Sequence, residues 1–174
     1  VRFPSDGKIS DIAYPNTDGT TSRADIMEAF FKDLHESVKD TGMVTSADLF
    51  GLVTTSTDDL GIGQVLEKTL PYFDYVCPMV YPSHFGSGWN GFKNPADHPY
   101  EVIKISMTKA VERAKAIGQD PLKLRPWLQD FNIGATYTAE MVKAQIKGTY
   151  DSGLNSWLMW SAANTYTRGA LANE

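Results

Sequence analysis

Residues 43–81 read MVTSADLFGLVTTSTDDLGIGQVLEKTLPYFDYVCPMVY, and their reading decides the fold. Met43–Phe50 and Tyr75–Tyr81 are short runs rich in Val, Leu, Phe and Tyr. They lack a clean polar alternation, which suits strands covered on both faces, as in parallel sheets. Between them, Ile62–Leu70 is expected to form a short helix. Working outward, Val1–Pro4 (VRFP), Leu124–Gln129 (LRPWLQ) and Ser156–Ser161 (SWLMWS) read as three further strands. Pro78 and Pro126 depart from the pattern, because proline removes a ladder donor.

Helices fill the gaps. Ser22–Asp40 carries Ile26, Phe30, Leu34 and Val38 at i+4 steps, a stripe expected to be buried, with Ser22 as N-cap. Pro99 opens a second helix, whose stripe is Ile103, Met107, Ala110, Val111 and Ala114. Another starts near Thr138 and uses Met141, Val142, Ile146 and Tyr150. The order is therefore β-α-β-α-β-α-β-α-β, which implies a parallel sheet. Strand starts are spaced by about 39 residues, so eight such units need about 312, the size of a (β/α)8 barrel. The expected fold is α/β: about five βα units of a TIM barrel, its strands 4–8, in one domain over residues 1–174. A doubly wound open sheet is the structural alternative.

Composition bounds the function. The 174 residues are 42% hydrophobic and 21% charged, a globular balance. The formal net charge of −5 argues against a non-specific nucleic-acid binder. No apolar run approaches the roughly 18 residues of a membrane span. The single cysteine, Cys77, excludes an intramolecular disulfide framework and reads as a small core residue. There is no GxGxxG, P-loop, GxSxG or HExxH, so neither cofactor nor metal is called for. The chain starts at Val1 rather than Met, which fits a piece of a longer protein.

In parallel α/β folds, sites form at the carboxyl ends of strands. Those ends carry Arg2 and Asp6, then Asp48, then Tyr81 and His84, then Trp127, Gln129 and Asp130, and finally Trp160 and Asn164. Carboxylates, amides and tryptophans on one rim suit a sugar: carboxylates serve as acid, base or nucleophile, and aromatic faces take pyranose rings. Each has a plainer role too. Asp48 could cap a turn, and Asp130 could pair with Arg125. His84 could be a loop histidine, Glu101 could favour its helix start, and the tryptophans could be core. Trp89, in a glycine-rich loop, reads as a lid or clamp over the cleft. The expected cleft holds Asp48, Tyr81, His84 and Asp130.

The segments VRFPSDG, SADLFG, PMVYPSH, HPYE and RPWLQDF resemble a glycosyl hydrolase-like domain family of unassigned function, DUF4015, over nearly the whole chain. The resemblance implies a TIM barrel distantly similar to the α-amylase and α-galactosidase groups. Members are mostly bacterial and often exported or surface-attached, which implies an extracellular or cell-surface location. In the family pattern an acidic residue stands just before the segment matching Val1–Pro4, where amylase-like barrels carry the nucleophile. By the same analogy Asp48 takes the acid/base position, usually a Glu, and Asp130 the transition-state-stabilising position. Two functions follow: a glycoside hydrolase acting on a poly- or oligosaccharide, or a non-catalytic carbohydrate-binding or structural domain on the same fold. The expected partners are the carbohydrate and either the N-terminal part of the barrel or a second copy, because Val1–Pro4 would otherwise be an open edge.

Overall fold

The structure, a computed structural model, describes residues 1–14, 17 and 19–171. Among these, four strands form one parallel sheet: β1 (Ser46–Phe50), β2 (Tyr75–Met79), β3 (Trp127–Gln129) and β4 (Leu158–Trp160). Their spatial order is their sequence order, and all three pairings are parallel. A doubly wound sheet reverses its order at a switch point. No reversal occurs in this sheet, whose arrangement is that of a partial TIM-barrel-like unit.

Register runs from Ser46 opposite Tyr75 to Phe50 opposite Met79, then Met79 opposite Trp127, then Trp127 opposite Leu158. The β2–β3 ladder is thin because Pro78 has no N–H to give. Arg125 N donates to Val76 O (2.9 Å) and Val80 N to Trp127 O (3.1 Å), on either side of the gap.

Helices α1 (Arg23–Val38), α2 (Pro99–Ala116), α3 (Ala139–Asp151) and the short α4 (Arg168–Leu171) complete the regular structure. Ser22 caps α1 with a reciprocal capping box to Asp25. The core lies on one face of the sheet. Leu49, Val76 and Leu128 pack there with Ile103, Met107 and Ala110 of α2 and with Met27 and Phe31 of α1.

Three expectations are corrected. Val1–Pro4 forms no strand, so the sheet has four strands rather than five. Phe3 N donates to Ile62 O, and the Gln64 side chain stands where a neighbouring backbone would: its Oε1 accepts from Phe50 N (2.9 Å) and its Nε2 donates to Val1 O (3.0 Å). Ile62–Leu70 is not an α-helix but a series of turns ending in a 3-10 turn at Leu70–Tyr72, because Leu60, Gly61 and Gly63 all have positive φ. The α1 stripe is not buried as expected. Phe30 and Leu34 are 44% and 39% exposed, while Ala24, Met27 and Phe31 face the core.

The β1–β2 connection, which has 3-10 turns at Gly51–Thr54 and Leu70–Tyr72 but no α-helix, is held from a distance. Arg113 of α2 donates to the carbonyls of Val53 (2.5 Å), Thr54 (3.1 Å) and Ser56 (2.8 Å). Its other nitrogens grip both Glu67 oxygens, at 2.6 and 2.5 Å. Burial alone would raise the Glu67 carboxyl, but the guanidinium overrides it and holds the pKa below the ordinary glutamate value. Glycine is required at 51, where a Cβ would come within 2.4 Å of Met79 O.

Candidate functional site

Side chains alternate across a strand, so the residues that do not face the helices share the opposite, open face. The register places them in layers: Asp48 beside Cys77, then Phe50, Met79, Trp127 and Leu158, then Gln129 and Trp160. Helix-side Met159, packed against the core, fixes the phase of β4. Phe50 and Trp160 are 42% and 44% exposed, large apolar surfaces on this face.

Asp48 is exposed in the middle of β1, two residues before its end. Trp127 Nε1 reaches across β2 and donates to Asp48 Oδ1 at 2.8 Å. The Trp127 ring also meets Trp160 edge to face, with centroids 6.0 Å apart. The carboxylate is thus oriented by an indole and bordered by aromatic surface. Its charge reaches neighbouring groups. Burial first, and Asp48 second, push the Cys77 thiol up to about 11, although Arg125 opposes this. The same two causes raise the Tyr81 phenol.

Tyr81 and His84 meet edge to face at 5.3 Å, and Phe131 packs against both rings, at 5.4 and 6.0 Å. They line a hollow of about 240 Å³ with Phe50, Met79 and Phe85. Partial desolvation beside these rings lowers the pKa of the His84 imidazole, although the residue keeps an exposed surface. Ser83 Oγ lies 3.0 Å from His84 Nδ1, and Ser83 N donates to Gln129 Oε1 at 3.1 Å. Gln129 therefore shapes the turn that carries His84.

Asp130 is 6% exposed and faces away from this hollow. Its Oδ1 accepts from Thr167 Oγ1 and its Oδ2 from Thr167 N, both at 2.7 Å, just ahead of α4. The alternative Arg125 pair does not form either: the Arg125 guanidinium stacks on the Tyr75 ring at 3.7 Å, and its Nε donates to Ser156. Arg2 lies over Phe50 (5.6 Å), near the carboxyl end of β1. Asp6 is exposed beyond it, and Asn164 sits in a turn after β4 with φ 50°. Trp89 packs on Phe85 (4.6 Å), but it lines a different hollow, against α2. Its loop is pinned by Gly88 N to Phe92 O (2.8 Å) and Ser87 Oγ to Lys93 O (2.7 Å). Among the described residues no group of three His, Cys, Asp or Glu side chains is placed to hold a metal, and no helix is long and apolar enough to cross a membrane.

Sequence reasoning missed Gln64 and Gln145. Gln145 Oε1 accepts from Gln129 N, and its Nε2 donates to Gln129 O, both at 2.8 Å. No sequence signal marks either residue beyond a glutamine beside apolar neighbours.

A sequential parallel sheet with its helices on one face and an exposed carboxylate on the other defines an α/β protein with the arrangement of a partial TIM-barrel-like unit. The chain belongs to the family described as "Putative glycosyl hydrolase domain" (DUF4015), whose model matches residues 1–166. Among solved structures it is similar in fold to the PgaB (BpsB) glycoside hydrolase domain from Bordetella bronchiseptica. The TM-score is 0.56 at 20% identity, over 80% of this chain and 37% of that one. The chain thus spans well under half of that structure's length. No curated protein matches.

Proposed function

We propose that this domain hydrolyses a glycosidic bond of an oligo- or polysaccharide on the open face of its sheet, with Asp48 as the acid/base carboxylate. The observation that carries the reading is the exposed Asp48 carboxylate, oriented by the Trp127 indole at 2.8 Å on the face that also carries the exposed Phe50 and Trp160 rings. Glycosidases need an acid to protonate the leaving oxygen and a second carboxylate about 5–5.5 Å away for retention or about 6.5–9.5 Å away for inversion. Asp130 is a poor second group because Thr167 occupies both its oxygens, so its role is to position the turn before α4. The better candidate is the acidic residue that the family pattern sets just ahead of Val1. Val1 and Asp48 line one hollow of about 190 Å³, which supports this choice. Tyr81 and His84 border the sugar from their own hollow.

The test uses a form that includes the residues ahead of Val1. Asp48→Asn is expected to lower kcat by about 10²–10⁴-fold while sugar binding persists. Unchanged turnover would remove Asp48 from the chemistry. Sugar binding with no turnover in the parent would favour the non-catalytic reading.

A further inference from the structure

The turns between β1 and β2 leave one flank of α2 uncovered. A groove of about 570 Å³ runs along it. Thr55 contributes from the turns, Trp89 and Asn90 from the β2–α2 loop, and Thr108, Lys109 and Glu112 from α2. Trp89 is half-buried and braced by the Phe85 ring. Beside it Asn90 is held at φ 47° between Gly88 and Gly91 at 87° and 85°. Asparagine is one of the few side chains that accept this conformation, and the turn presents it at the groove. Thr108 Oγ1, on the α2 side, is buried without a hydrogen-bond partner.

The charges here do not form an anion cradle. Lys109 pairs with Glu112 at 3.1 Å, and Lys104, also at the groove, donates to the Asp151 carbonyl. What remains is a rigid indole with an amide, the Thr55 hydroxyl and a carboxylate around it. That set offers an apolar platform together with both donors and acceptors, the requirements of a polyhydroxylated ring.

We propose that this groove is a second carbohydrate site, binding a neutral oligosaccharide away from the open face of the sheet. It takes only the ligand class from the function proposed above and requires no hydrolysis. A site of this kind would hold a long chain while another stretch lies across Asp48.

The test is NMR titration of the chain with cellohexaose and chitohexaose, following the Trp89 indole N–H signal. A saturable shift with at least one hexasaccharide is expected, and Trp89→Ala should weaken that affinity by about ten-fold or more. Because Trp89 braces Phe85, the surface double variant Lys109→Ala/Glu112→Ala provides a second measurement and should also weaken binding. Trp160→Ala should leave the Trp89 shift in place, which separates this groove from the open face. Absence of a Trp89 shift with both sugars overturns the proposal, as does full affinity in both groove variants. Loss of the hydrolytic reading alone would leave the Trp89 shift intact.

Discussion

Gln129 closes β3 with both of its backbone groups bonded to the Gln145 amide rather than to a neighbouring strand. Gln64 does the same between Phe50 and Val1. These side chains satisfy polar backbone that the sheet leaves unpaired. Gln145 is fully buried, so replacing it orphans a donor and an acceptor together. Gln145→Leu is expected to cost about 3 kcal/mol in a denaturant titration. A cost under about 1 kcal/mol would mean that water reaches Gln129 instead. The place of Asp48 on β1 was legible in the sequence, although it lies two residues before the strand end rather than at it. Its indole partner, 79 residues away, was not: the pairing depends on register across three strands. Asp130 was legible as a residue just past its strand, expected on the rim, but not as the buried acceptor of Thr167, which lies beyond the next strand.

The β1–β2 connection shows how one element replaces another. A crossover helix satisfies its own backbone, whereas a chain of turns cannot. Arg113 supplies the missing donors to three carbonyls and anchors itself on Glu67. Arg113→Met removes a largely buried cation from its partner and is expected to cost about 3 kcal/mol. Glu67→Gln tests the same contact through pH. The folded Glu67 pKa is lowered, so its stabilisation is complete above the unfolded value near 4.3 and fades as pH falls through the folded value. In Glu67→Gln that part of the acid limb should disappear from a stability-versus-pH curve. An unchanged limb would assign it to other carboxylates. The apolar spacing of Ile62–Leu70 suggested a helix, and three positive φ values within residues 60–63 override it. Leu60 is one of them, and nothing in a leucine announces that conformation. By contrast, α2 was legible down to its buried stripe, because Pro99 starts it and periodicity fixes its face.

At the scale of the whole molecule, the sheet has two open edges, and β1 is one of them. Phe30 and Leu34 of α1 line the hollow beside it with Val1 and Phe73. The i+4 stripe read from the sequence is therefore real as a pattern, but it flanks an unpaired strand instead of entering the core. An unprotected edge with an apolar flank invites pairing. Residues 1–174 alone are expected to associate as concentration rises in sedimentation experiments, and Phe30→Lys/Leu34→Lys should return them to monomers. Monomers at high concentration in the parent would show the edge to be harmless. Parallel order was legible from strand–helix alternation; the one-sided core was not, since the apolar runs read as strands covered on both faces, and neither was the loss of the first strand, since VRFP has strand-like residues but meets a glutamine. The arginine clamp also bears on the order of events during synthesis. Its three carbonyl partners precede it by 60, 59 and 57 residues. A growing chain therefore carries β1 and β2 out of the ribosome with their link unfinished, and it must wait for α2 before that link can lock. Until then these turns remain open to proteases and chaperones, and an amber stop ahead of Arg113 would leave them so permanently.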